Sequence, residues 1–339
     1  MMNSMSTRKQ IALTGDRPTG KMHLGHYVGS FKNRVKMQDE YDQFILVADV
    51  QALTDNSENP AKVRSNILET TIDNIACGVD PNKNTFFIQS MVPEIADLTI
   101  YFLNLVTVAR LMRNPTVKDE INQKGYGQTI PAGFMCYPVS QAADILCVKA
   151  NVVPVGDDQL PMIEQTNEIV DKFNSLYKET FPRVKAVVPE VASRLSGTDG
   201  KAKMSKSIGN AIFFADSSKV LQEKVMNMYT DPLHIHASDP GHVEGNIVFE
   251  YLDAFDQDPK GLNELKERYE AGGVGDVVIK KRLIEVLENS IGPIRERREE
   301  LSKNSDQILR ILKEGTEKVR EISANTLKDV KSAMQINYF

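Results

Sequence analysis

An α/β fold, in which a parallel sheet carries helices on both faces and an all-helical region follows it, is predicted by three observations. Short apolar runs alternate with helical patterns through the first half of the chain. Each run is apolar almost throughout, as expected of strands buried on both faces. Beyond about residue 207 the apolar runs give way to charged, amphipathic helical patterns.

Residues 11–15 read as the first buried strand. A turn rich in Gly and Pro follows, then a helix beginning at His23 or Leu24 and running through Val35. Residues 44–49 and 85–89 form the next two strands, with a helix over 60–76 between them that Asn59 caps and Pro60 starts. Helical patterns cover 95–110 and 137–149, and a strand at 152–156 leads into a helix over 159–173. After that come helices over 217–228, 261–270, 276–290, 294–304 and 315–334. The expected division is 1–207 as a nucleotide-binding domain, 208–305 as a helical domain, and 306–339 as C-terminal helices packed back on the first domain.

The chain has 339 residues, 41% hydrophobic and 26% charged, an ordinary globular balance with room for two domains. No apolar run approaches the roughly 20 residues that cross a bilayer, and residues 1–10 lack the apolar stretch of a signal peptide, so a cytoplasmic protein is expected. Cys77, Cys136 and Cys147 are odd in number, lie in apolar stretches and read as reduced core thiols. The five histidines lack metal-ligand spacing, the His234-Ile235-His236 pair being a weak exception. A net charge of −5 excludes indiscriminate nucleic-acid binding and points any RNA contact to a local basic patch.

Two motifs carry chemistry. His23-Leu24-Gly25-His26 opens the first helix, so both imidazoles share a face and Gly25 lets a nucleotide approach the backbone. Lys203-Met204-Ser205-Lys206-Ser207 lies between Gly-rich flanks, 196–200 before it and 208–210 after it, as in a loop that closes over a polyphosphate. Gly15 through Met22 match a P-loop in their first seven positions and fail at the last, where Met22 cannot supply the hydroxyl that motif uses to hold a cation. Gly20 and Lys21 then stand either as phosphate contacts or as a turn and a solvated charge.

On these residues the chain resembles the class I aminoacyl-tRNA synthetases, whose signatures are an HIGH-type tetrapeptide after the first strand and a KMSKS loop after the last strand of a Rossmann-like fold. More narrowly it is similar to the bacterial tryptophanyl-tRNA synthetases, through Thr14-Gly15, Pro18, Gly20, residues 87–90, Tyr137-Pro138, residues 142–146, residues 153–159 and residues 292–297. The resemblance implies activation of L-tryptophan by ATP to an adenylate and pyrophosphate, then transfer to tRNA(Trp). Its cofactors are ATP and Mg2+ carried on the phosphates; its partners are L-tryptophan and tRNA(Trp), in a homodimer with no membrane or DNA.

The same resemblance assigns His23, His26, Lys203 and Lys206 to catalysis. ATP is assigned to Thr14, Gly15, Arg17, Gly20, Gly25, Gly156, Asp157, Met204 and Ser205 beside those four, with Lys118 as a further lysine. Tryptophan is assigned to Leu13, Gly15, Ala48, Gln51, Tyr137, Gln141, Asp144, Val153, Val155 and Gln159, with Asp144 accepting the indole N–H. Read from the residues alone, Asp144 is a carboxylate in an apolar helical stretch, and burial without a partner would cost it several kcal/mol.

Gln141, one turn before Asp144, matches the Gln-x-x-Asp of tyrosyl-tRNA synthetases and makes tyrosine the alternative substrate; Leu13 and residues 153–159 favour tryptophan. Ala48, Gln51 and Arg17 stand where many relatives carry Val, His and Gln. A non-synthetase nucleotidyltransferase could share an HxGH turn but would lack the lysine loop and the helical region, and a regulatory derivative would have lost a signature residue. The basic stretches 280–282 and 295–298 are the expected places for tRNA phosphate contacts.

Overall fold

The computed structural model describes residues 9–188, 195–202, 204–205 and 208–338. Five parallel strands, β1 Ile11–Asp16, β2 Asp42–Val47, β3 Asn84–Ile88, β4 Val152–Pro154 and β5 Lys185–Val187, lie in the order β3-β2-β1-β4-β5. The chain builds outward from β1 to β2 and β3, then crosses back to place β4 and β5 on the other side. The order therefore reverses between β1 and β4, and in an open α/β sheet the crevice at that switch point, outside the carboxyl ends of the strands, is where ligands bind.

The first strands match the sequence expectation because their residues are buried on both faces: Ala12, Ile45, Val47, Phe86 and Phe87 are all 1% exposed or less. Helix Pro60–Ala76 begins as expected, with the Asn59 side chain accepting the Lys62 N–H. Several boundaries differ. β2 ends at Val47 and helix Asp49–Asn56 begins at once, so Ala48 and Asp49 sit at a strand-to-helix corner instead of inside a strand. The pattern over 95–110 divides into Glu94–Leu103 and Val108–Arg113, because Thr107 turns out of the helix and caps the second one through the Arg110 N–H. Residues 276–290 and 294–304 belong instead to one helix, Asp276–Ser302, which runs through Pro293 with Ile291 and Ile294 buried on either side of it.

Two large apolar clusters form most of the core. One joins Phe44, Phe87, Val139 and Phe173 to Val319 and Val330 of helix Ser305–Ala333. The other joins Met22, Leu24 and Phe31 to Ile212 and Phe214 and to helices Ile247–Phe255 and Asp276–Ser302. Helix Ser305–Ala333 lies against β3, at the edge of the sheet. Gly315 permits the approach, since a Cβ there would meet the Phe86 carbonyl oxygen at 1.9 Å. The Ile88 N–H donates to Thr316 Oγ1 (3.1 Å), so an otherwise open edge donor is satisfied by the helix. No helix of the described residues is long and apolar enough to cross a membrane.

Candidate active site

A cavity of about 1010 Å³ opens at the carboxyl ends of β1, β2 and β4, at the switch point. The end of β1 contributes Leu13, Thr14, Gly15, Asp16 and Arg17; the turn and helix after it contribute His23, Gly25 and His26. Ala48 and Gln51 enter from the corner after β2, and Tyr137, Gln141 and Asp144 from helix Ala132–Cys147. Val153, Val155, Gly156, Asp157 and Gln159 follow β4, and Met204 with Ser205 closes the ring. Residues spread over nearly 200 positions thus face one space.

The structure bears on three readings of these segments. Gly20, at φ 143°, belongs to the turn and does not line the cavity, and Lys21 is exposed, so the turn reading applies to both. Lys118 is exposed and is not among the residues that line the cavity, whereas Lys124, at the end of the same helix Pro115–Lys124, borders it. Met22 is 1% exposed and packs in the core, which removes the P-loop alternative on geometry. Lys203 and Lys206 lie outside the described residues.

The two signature segments are joined through backbone. The Leu24 N–H donates to the Ile212 carbonyl (3.0 Å) and the Phe214 N–H to the Met22 carbonyl (3.2 Å), so the strand-like stretch after the lysine loop pairs with the start of the first helix. The Gly25 N–H donates to Met204 Sδ at 3.4 Å. A Cβ on Gly25 would stand 3.0 Å from the His23 ring, so glycine leaves this junction thin. The His23 N–H donates to His26 Nδ1 (3.3 Å), and the two rings lie 3.9 Å apart. Around the described part of the loop, Asn210 Oδ1 accepts the Ser205 N–H (2.8 Å) while its amide donates to Asp199 (3.0 Å).

Buried charge shapes the cavity floor. Arg34, 2% exposed, makes a two-pronged contact with Asp16 at 2.5 and 2.8 Å, and Asn74 donates to the same carboxylate. Burial acts to raise the Asp16 pKa, yet the Arg34 charge and hydrogen bonds, with Asn74, hold it below the usual carboxylate range. Asp144 is the opposite case: burial pushes its carboxyl up to about 8, Gln89 acts against that, and the Asp49 charge adds to it. Gln89 and Asp49 are site residues that single-residue reading of the sequence misses, because an ordinary Gln after a strand carries no mark of the carboxylate it will meet 55 positions later.

The basic stretches of the helical region are mostly committed internally. Lys280 is 7% exposed and donates to the Met226 and Met228 carbonyls, Arg282 pairs with Asp256, Arg295 with Glu288, and Arg298 with Asp73 and Glu69. Burial of the apolar helix faces draws these heads inward, so they serve the fold, and the phosphate contacts expected of them do not follow. Of 280–282, Lys281 is left exposed. His234 Nδ1 lies 3.2 Å from Asp276 Oδ1, which accepts, and the ring packs on Tyr269, as a structural histidine does.

Residues 5–291 match the family described as tRNA synthetases class I (W and Y). The chain is 58% identical over 335 residues to the tryptophan–tRNA ligase of Clostridium longisporum, covering 98% of each, and 54% identical over 338 residues to that of Streptococcus agalactiae, covering 98% and 99%. Among solved structures, tryptophanyl-tRNA synthetase from Campylobacter jejuni complexed with ADP and tryptophan superposes with a TM-score of 0.85 at 32% identity, covering 96% of this chain and all of that one. Tyrosyl-tRNA synthetase from Archaeoglobus fulgidus, at 20% identity and a TM-score of 0.67 over 86% of this chain and 90% of its own, shares the fold. The relatives carry the tryptophan reading over the tyrosine one, and a Rossmann-like parallel sheet with a helical C-terminal region is what both structures and sequence have in common: the chain belongs to the class I tRNA synthetases of the tryptophan and tyrosine group, and within it to the tryptophan–tRNA ligases.

Proposed function

We propose that the cavity binds ATP and L-tryptophan side by side, joins them as tryptophanyl-adenylate with release of pyrophosphate, and passes the tryptophanyl group to tRNA(Trp). The observation that carries this reading is the convergence of Thr14 to Arg17, His23 to His26, Asp144, Gln159 and Met204-Ser205 on one cavity at the switch point. A tryptophan carboxylate oxygen attacks the α-phosphorus of ATP; the new O–P bond forms as the bond to the bridging oxygen breaks, and the electron pair leaves on pyrophosphate. The nucleophile is already ionised at neutral pH, so positioning and stabilisation of the leaving charge are what the protein must supply.

In this reading His23 and His26 face the phosphates, and Gly25 with Met204 holds the lysine loop against them. Lys203 and Lys206, flanking Met204-Ser205 in sequence, neutralise the departing pyrophosphate, and Mg2+ enters on the ATP phosphates. Tyr137 and Gln159 hold the α-amino group, while Asp144 accepts the indole N–H at the far end of the cavity. The catalytic unit runs to the lysine loop, residues 208–305 with the exposed Lys281 carry tRNA, and residues 306–339 brace the β3 edge. A second copy pairs through apolar side chains such as Val50, Met91, Ile100 and Val108, which are 46 to 71% exposed. The test is acylation of a tRNA(Trp) transcript with labelled tryptophan and ATP: charging is expected with that tRNA, and charging of tRNA(Tyr) with tyrosine instead would overturn the substrate.

A further inference from the structure

The carboxylate of Asp144 is held by two glutamines, and the amide of one of them, Gln89, is fixed in its orientation. The Gln51 N–H donates to Gln89 Oε1 (3.1 Å), which fixes that amide and leaves its Nε2 end facing Asp144. From there Gln89 Nε2 reaches both carboxylate oxygens, at 2.8 and 2.9 Å, and Gln51 Nε2 adds a contact to Oδ2 at 3.1 Å. All three contacts come from donors, so none of these partners can accept a proton carried by the carboxyl itself. Gln89 and Asp144 are each 2% exposed. The two segments that supply the glutamines are tied further by Asp49, which accepts the Ser90 N–H (2.9 Å) and hydroxyl (2.5 Å).

We infer that Gln89, with Gln51, is a positioning pair that holds Asp144 in one orientation and favours its ionised form against burial, so that it meets an aromatic ring carrying an N–H donor. This rests on the reading of Asp144 as the indole acceptor. Burying a carboxylate is costly unless donors offset the lost water, and these amides are the offset. The other ionisable groups nearby do not help. The charge of Asp49, at the start of helix Asp49–Asn56, acts to raise the Asp144 carboxyl further, and Cys147, on the same helix as Asp144, is a thiol pushed up to about 12 by burial. Among the described residues no Lys, Arg or His forms an ion pair with Asp144, and the amides of Gln89 and Gln51 are what its carboxylate meets there.

The test compares full-length wild type, Gln89→Met, Gln51→Met and Asp144→Asn in ATP–pyrophosphate exchange, with tryptophan and with its benzothienyl analogue, in which sulfur replaces the indole N–H. Losing hydrogen bonds to a charged group predicts that Gln89→Met raises KM for tryptophan about tenfold and lowers the preference for tryptophan over the analogue by a similar factor, with KM for ATP changed less than about twofold. The rise of kcat/KM for tryptophan with pH should also move to higher pH, because a carboxylate that loses a donor ionises less readily. Gln51→Met, at a half-buried position, should do the same to a smaller extent. A merely structural glutamine would lower the melting temperature and both substrates' kcat/KM together, with no change in the analogue ratio or the pH profile, and that result overturns the inference. If Asp144→Asn also leaves the analogue ratio unchanged, the indole reading itself fails; if Asp144→Asn collapses the ratio and both glutamine variants keep it, only the positioning role fails.

Discussion

The Met22 backbone N–H donates to the carboxylate of Asp73, 51 residues away, at 2.8 Å. The other Asp73 oxygen accepts from Arg298 Nε at 2.7 Å, and Arg298 also pairs with Glu69. A fully buried carboxylate therefore sits directly behind His23 and ties the nucleotide turn to helix Asp276–Ser302. Burial raises the Asp73 pKa above the usual range even though the Arg298 charge and the Met22 N–H oppose it.

Breaking this buried pair from one side leaves an uncompensated charge, which costs about 3–5 kcal/mol. Arg298→Met should destabilise the protein by that order in urea unfolding, and Asp73→Asn should lower the adenylation rate as well, because Met22 loses the group that sets the position of His23. The double variant Asp73→Asn/Arg298→Met should unfold at higher urea than Arg298→Met alone. Equal stability of the wild type and Arg298→Met would show that the pair carries nothing.

Asp16 and Arg34 give the pH dependence. Because Asp16 is held below its unfolded pKa, its contribution to stability is complete above the unfolded carboxylate value of about 4 and is lost as pH falls through the folded value. The wild type should therefore lose stability in that acid window, and Asp16→Asn should show a shallower acid limb when melting temperature is followed against pH. Parallel limbs for the two proteins would remove Asp16 from the account.

Lys206→Ala should lower the exchange rate by orders of magnitude and leave tryptophan affinity nearly unchanged, since the charge it meets develops in the transition state. The chain contains no tryptophan, so the ligand's own indole fluorescence, excited beyond the absorption of the ten tyrosines, reports its binding with no protein tryptophan emission beneath it. A large loss of affinity with an unchanged rate would contradict the assignment.

What the sequence made legible follows from range. The strands were readable because apolar runs such as 44–47 are local, and the HLGH and KMSKS motifs because their chemistry is packed into a few adjacent residues. Asp144 stood out as a carboxylate among Ala142, Ala143, Ile145 and Leu146. Helix boundaries at Thr107 and Pro293 were misread, because a cap can start a new helix inside a long pattern, and packing of Ile291 and Ile294 outweighs the hydrogen bond that Pro293 removes. The last helix starts at Ser305 and not at the expected residue 315, and Gly315 lies inside it against Phe86, a contact that no local pattern marks. Arg298, Gln89 and Asp73 were invisible for one reason: each acquires its role from a partner 51 to 225 positions away. Lys280 and Arg282 read as a basic face because nothing local shows that Met226, Met228 and Asp256 will take their charges.

ATP–pyrophosphate exchange measured with each of the twenty amino acids tests the central claim most directly. The account predicts exchange with tryptophan far above every other amino acid, and its collapse on Asp144→Asn, by the equivalent of about 1.5–3 kcal/mol in kcat/KM for tryptophan. Exchange driven by tyrosine, or tryptophan-driven exchange that Asp144→Asn leaves intact, would contradict it.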